Sequence, residues 1–165
     1  VGAKLYYPDD TIQHAGVVVG LGGVAAHVLC KLPRDAEGYM GRLRCVQEIS
    51  AVTAACMMVK TSVFKAVGGF DEELKVAFND IDLCMKVRKY GVKIVFTPYA
   101  ELYHYESKSR GMEDTPEKQL RFSREVNCFR RKWERELLKG DPYYNPNLTL
   151  NNTDCSLRKQ EKNGD

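Results

Sequence analysis

The spacing of apolar residues changes period several times along the chain, and each change marks an element. An apolar run over residues 1–7, "VGAKLYY", and a second run, "TIQHAGVVV", flank Pro8-Asp9-Asp10. These three residue types favour a turn, so the pair reads as a β-hairpin. It leads into Gly20, Gly22 and Gly23. The glycines complete neither a G-x-G-x-x-G fingerprint nor a P-loop, so a flexible loop is expected there rather than a phosphate cradle. Residues 31–48 are polar and interrupted by Pro33, Gly38 and Gly41, the mark of a connecting segment. The stretch "ISAVTAACMMVK" that follows is rich in small and β-branched residues and predicts a buried strand.

The period then lengthens to that of helices. Thr61 is placed to cap a short helix, "SVFKAV", stopped by Gly68-Gly69. After the loop "GGFDEEL", residues 76–91, "VAFNDIDLCMKVRKYG", place Asp80 and Asp82 just before an amphipathic helical pattern that stops at Gly91. "VKIVFTP" reads as a strand ended by Pro98, "AELYHYE" as a second strand, and "SKSRGMED" as a polar loop. Thr115 is set to cap a long helix with Pro116 at its first position, where the missing N–H costs nothing. Along it Phe122, Val126, Phe129, Trp133 and Leu137 form one apolar stripe, and Gly140 ends it. The chain beyond Tyr144 is Asn-rich and then charged. Residues 1–145 are therefore expected to form one domain and residues 146–165 a loosely held tail. The fold class is mixed α/β, with short helices between strands and one long closing helix.

Composition narrows the class. With 165 residues, 44% hydrophobic and 28% charged, the chain can bury a sizeable core. A net charge of +3 does not point to nucleic acid. Residues 117–139 hold eight Lys or Arg against four Glu, interleaved, which fits a solvated amphipathic helix better than a nucleic-acid face. No apolar run approaches the roughly 20 residues of a membrane-spanning helix. The N-terminus has neither a signal peptide nor an initiator Met, which suggests a piece of a longer polypeptide. Six scattered cysteines without a C-x-x-C pair are expected to be reduced and mostly buried, favouring the cytoplasm.

Few residues could carry chemistry. Asp80 and Asp82 sit at the start of the predicted helix, where one aspartate caps free N–H groups and suits the helix dipole. Two of them, with Asn79 alongside, exceed what capping requires. On spacing alone, capping outweighs catalysis. His104 ends a predicted strand among aromatics, a setting more common for packed histidines than for ligands. A polar loop with Glu106, Ser107, Ser109 and Arg110 follows it, and an arginine there could clamp phosphate. His14 and His27 lie in apolar β contexts that favour structural roles. There is no G-x-S-x-G elbow.

The order of the pieces changes these odds. "TAACMMV", "VGGFDE", "NDIDLC", "TPYA" and "HYESKSRG", ending in "DPYYNPNL", closely resemble the second half of family 2 glycosyltransferases with the GT-A fold, of the bacterial rhamnosyltransferase-like type. The resemblance extends over nearly all of residues 1–157 and rests on the ordered series. It implies the C-terminal part of a GT-A mixed sheet flanked by helices, transferring a sugar from a nucleotide-sugar donor to a glycan or lipid-linked acceptor with inversion. It implies Asp80 as general base, Asp82 and Asn79 as supporting or acceptor-contacting groups, and His104 as a contact to a divalent metal (Mg or Mn). Ser107 and Arg110 correspond to a loop that closes on the donor diphosphate. Two departures stand out. Asn79-Asp80 replaces the Glu-Asp of many relatives, and the donor-binding half with its D-x-D motif is absent. The expectation is an acceptor-side fragment, inactive and metal-free alone, that associates with itself or with the cytoplasmic membrane face and binds no nucleic acid. The alternative is a non-catalytic carbohydrate- or partner-binding module.

Overall fold

The structure is a computed structural model that describes residues 1–105 and 115–159. Its centre is a four-stranded mixed sheet in the order β2-β1-β6-β5. β1 (Gly2–Tyr6) and β2 (Ile12–His14) form the expected hairpin, with Leu5 opposite His14 and Tyr6 opposite Ile12. The turn between them is held by Asp9, whose carboxylate accepts from the Thr11 amide (3.1 Å) and hydroxyl (2.7 Å). β1 also pairs in parallel with β6 (Val95–Tyr103), so all five of its residues are buried. β5 (Gln47–Glu48) pairs antiparallel with β6 at the other edge. β3 (Val17–Val19) and β4 (Ala25–His27) make a separate two-stranded ribbon.

Pro98 does not end a strand as expected. β6 runs through it as one element because the register with β1 jumps there, from Gly2 opposite Phe96 to Lys4 opposite Glu101. The bulge takes residues 97–100 out of ladder pairing, which is where a residue without an N–H is tolerated. The expected strand across "ISAVTAACMMVK" is likewise absent. Ile49, Ser50, Ala51 and Val52 are buried, but pairing is limited to bridges at Ala51 and Met57, with a 3₁₀ turn at Ala54–Cys56 between them. The Thr53 hydroxyl accepts from the Ala55 amide (3.3 Å), a local bond that competes with a β-ladder. The glycine loop after β3 is an ordered turn rather than a free one. Gly20, Gly22 and Gly23 all adopt positive φ, which a side chain would strain, and the Gly22 amide donates to the Leu150 carbonyl (2.8 Å).

Among the described residues four helices complete the fold: α1 (Thr61–Ala66), α2 (Asn79–Lys89), α3 (Pro116–Lys132) and α4 (Glu134–Lys139). Thr61 is the first residue of α1 rather than its cap. Thr115 caps α3 by accepting from the Lys118 amide (3.4 Å), with Pro116 at its first position. The long closing helix is divided at Trp133, which leaves helical geometry at φ −115°. Phe129 and Trp133 of its stripe are buried and Val126 and Leu137 pack partly against the core, but Phe122 stays 42% exposed.

The tail, expected to be loose, is anchored by the buried Leu148 and Cys155, while residues 157–159 are exposed. Leu148 is 1% exposed, the Leu29 amide donates to the Thr153 carbonyl (2.6 Å), and Leu148 pairs with Leu157. The tail's partners Gly22 and Leu29 lie more than 120 residues earlier in the sequence, so the anchoring emerges only once the chain turns back on the β3–β4 ribbon. All six cysteines are free thiols, yet Cys84 and Cys155 are the buried ones and Cys45 is exposed, so burial holds for fewer than expected. No helix among the described residues is long and apolar enough to cross a membrane.

Candidate functional site

The start of α2 is held from three sides. Before it, the Val76 and Ala77 amides donate to the two carboxylate oxygens of Glu125 (3.2 and 2.9 Å), a residue of α3 that is 3% exposed. Phe78 then takes a left-handed conformation (φ 63°, ψ 2°), which is strained for a side chain this large. Its ring is fixed between Phe122 and Phe129, with centroids 5.7 and 5.3 Å away. Strained backbone is a recurrent property of functional sites. It persists here because α3 grips both the preceding amides and the ring.

The two aspartates have opposite fates. Asp80 is partly exposed and is not the cap residue, which is Phe78, although its carboxylate takes one first-turn amide. One oxygen accepts from the Ile81 amide (2.9 Å), and the other crosses to the Ala54 amide of the 3₁₀ turn (3.1 Å). A carboxylate oxygen has two lone pairs, so each keeps further acceptor capacity. Asp82, one step around the helix, has no exposure at all. Its Oδ1 accepts from Trp133 Nε1 and Lys132 Nζ, both at 2.8 Å, and Lys86 Nζ lies 3.2 Å from Oδ2. Lys132 also pairs with Asp71. Burial opposes the charge on Lys132, but the carboxylates of Asp71 and Asp82 outweigh it and hold its pKa above the ordinary lysine value. Asp82 thus ties α2 to the α3–α4 junction through Oδ1, while Oδ2 is buried with an ionic contact to Lys86 but no hydrogen bond among the described residues. Asn79, the first residue of α2, is partly buried.

His104 follows β6 directly. Its amide donates to the Tyr6 carbonyl (2.9 Å), and its Nδ1 lies 2.8 Å from Gln13 Oε1. With that oxygen as acceptor, Nδ1 carries the proton and Nε2 is left with a lone pair. His14, next to Gln13 on β2, is fully buried edge-on to His27, with ring centroids 4.8 Å apart. Burial, reinforced by His27, pushes its pKa well below the usual histidine value. Neutral His14 accepts from the Thr53 amide through Nε2 (3.3 Å). β2 therefore touches both halves of the candidate site. Gln13 orients His104, and His14 holds the turn whose next amide binds Asp80. Ser107 and Arg110 lie outside the described residues. Among the described residues no group of three or more His, Cys, Asp or Glu is arranged to hold a metal ion, and His104 offers one nitrogen rather than a chelating set.

Glu125, Trp133, Gln13 and His14 do the positioning, and none stood out as a site residue in the sequence. A signal existed for Glu125: it falls inside the apolar stripe, three residues after Phe122 and four before Phe129, where a charge needs buried partners.

No family model matches the chain, and no solved structure matches it. Curated relatives do. An uncharacterized protein of Sinorhizobium fredii, y4gI, is 59% identical over 158 residues, covering 95% of this chain and 17% of that protein. The O-antigen biosynthesis protein RfbC of Myxococcus xanthus is 39% identical over 166 residues, covering 100% of this chain and 13% of that protein. The N-acetylglucosaminyl-diphospho-decaprenol L-rhamnosyltransferase of Mycobacterium tuberculosis is 36% identical over 62 residues, which is 38% of this chain and 20% of the relative. The matched stretches thus span a fifth or less of the length of these three relatives. The names of the second and third point to a glycosyltransferase family.

Proposed function

We propose that the chain is the acceptor-side part of an inverting glycosyltransferase in bacterial surface-polysaccharide synthesis, with Asp80 as general base. One observation carries the reading. Of two aspartates two residues apart, one is fully buried and engaged by Trp133, Lys132 and Lys86, while the other is partly exposed on a braced and strained helix start. A carboxylate held by two backbone amides, with lone pairs remaining, can accept the proton of an acceptor hydroxyl as that oxygen attacks the anomeric carbon. The donor's nucleoside diphosphate departs with the bonding electrons. The full-chain similarity to an O-antigen biosynthesis protein favours this chemistry over a binding module.

In this reading Asp82 and Glu125 are positioning residues, and Asn79 flanks the base on the acceptor side. His104 would present Nε2 toward a divalent ion. Because the described residues supply that one donor and no chelating set, no step is routed through a metal. Ser107 and Arg110 lie outside the described residues and are assigned to the donor diphosphate by the family resemblance alone. The donor is bound by a preceding half of the longer polypeptide, and the chain alone does not turn over.

The test uses the full-length polypeptide. Asp80→Asn keeps the size of the side chain but removes its basicity and one of the two oxygens that accept from the Ile81 and Ala54 amides, so transfer should fall by about 100-fold or more, with donor binding and the thermal midpoint measured alongside as controls. Full transfer by this variant would exclude Asp80 as the base. Saturable glycan binding that ignores Asp80, with no transfer by the wild type, would favour the module instead.

A further inference from the structure

A groove of about 450 Å³ opens beside the β6 bulge, lined by Lys4, Arg34, Arg44, Asp35, Glu101 and the 80%-exposed ring of Tyr99. Lys4 sits in its wall on the central strand β1 and is 3% exposed. Its ammonium has three donors, but its one hydrogen bond among the described residues is a long 3.5 Å contact to the Leu43 carbonyl. Tyr6 adds a cation–π contact at 5.4 Å. A buried lysine this poorly partnered is costly unless something else supplies an acceptor. Burial pushes its pKa down; Glu101 opposes that shift, and Arg44 and Arg34 add to it.

The neighbouring charges are not equivalent. Glu101 is taken up by Arg34 Nη2 (2.6 Å), whose other Nη reaches Asp10 at 3.2 Å. Arg44 donates to the Asp35 carbonyl (2.7 Å) and has no carboxylate partner among the described residues. Two cations, Lys4 and Arg44, are therefore left with unused donors on one groove, beside an exposed aromatic face. Asp35 also lines the groove, and a carboxylate suits a hydroxyl rather than a second anion.

We propose that this groove binds an acidic saccharide, its carboxylate or phosphate oxygens taken by Lys4 and Arg44 and its ring resting on Tyr99. An oxyanion there would complete the ammonium and the guanidinium with charge-assisted bonds. Sugar rings present C–H faces that pack on tyrosine while their hydroxyls meet Asp35. The site is independent of Asp80 and of any transfer chemistry.

Titration of the protein with galacturonate, glucose 1-phosphate and neutral galactose, followed by chemical-shift changes, tests it. Both acidic probes should saturate with a Kd in the range of about 1–10 mM, weakening as salt is raised. Galactose should bind about tenfold more weakly. Lys4→Met and Arg44→Gln should each weaken the acidic probes about fivefold or more, with thermal midpoints close to wild type. If Lys4→Met does not fold, Arg44→Gln and Arg44→Glu carry the comparison at the surface. Saturation by only one acidic probe also supports the site and identifies the oxyanion as carboxylate or phosphate. Absence of saturation by both at 50 mM, or affinities unchanged in the Arg44 variants, would overturn it.

Discussion

Replacement of Asp82 by alanine isolates the physics that separates the two aspartates. The carboxylate accepts from Trp133 Nε1 and Lys132 Nζ and faces Lys86 at 3.2 Å, and it has no exposure. In Asp82→Ala these partners differ in how they recover. The side chains of Lys86 and Lys132 are 19% and 33% exposed, so both ammoniums can turn to water, and Lys132 keeps Asp71. Trp133 is 3% exposed, and its indole N–H stays orphaned. Breaking a buried pair costs about 3–5 kcal/mol, of which an orphaned donor accounts for about 1–3. Because the lysines can rehydrate, the low end applies, about 3 kcal/mol. Asp82→Asn keeps an acceptor for the indole but loses the charge and turns an NH2 toward Lys86, whose partly exposed ammonium can move to water, so about 1–2 kcal/mol is expected. Urea unfolding reads this directly. With a slope of about 2 kcal/mol/M, the alanine variant should lose roughly 1.5 M in midpoint and the asparagine variant under 1 M. A loss below about 1 kcal/mol for Asp82→Ala, or an asparagine variant as unstable as the alanine one, would refute the account.

Two further outcomes follow from the same scaffold. Glu125→Ala frees the Val76 and Ala77 amides at a cost of about 2 kcal/mol, and hydrogen exchange at those two amides should rise well above that at the middle of α2. His14 has a folded pKa well below its ordinary value of about 6.5, so the unfolded chain binds its proton first as pH falls. Stability is then fully present above about pH 6.5 and is lost below it. Wild-type urea midpoints should drop between pH 7.5 and 5.5, and His14→Gln, which retains an acceptor for the Thr53 amide, should flatten that drop. Equal pH slopes for the two proteins would contradict the assignment.

Much of the fold can be read along the chain. The hairpin around Pro8, the helix that opens at Asn79 and the cap pair Thr115-Pro116 are local events, decided by turn chemistry, apolar spacing and the helix-end hydrogen bonds of a few neighbouring residues. The sequence also brought forward Asp80, Asp82 and His104 as the residues to examine. The elements that defied the local reading are those in which a distant partner outweighed propensity. Pro98 continues a strand because β1 pairs around it through a bulge, and "TAAC" turns instead of extending because His14 and Asp80 take its amides. Trp133 divides the last helix where its indole meets Asp82.

What the sequence by itself determined, then, is the order of the elements and the short list of chemical groups. The roles within that list were decided by tertiary structure. Asp80 and Asp82 are the same residue type in the same helical turn, and nothing local distinguishes a braced, accessible carboxylate from a buried anchor. Glu125 and Trp133 make the distinction from more than 40 residues away, because a buried charge or indole N–H must find its partner wherever the packed chain brings one.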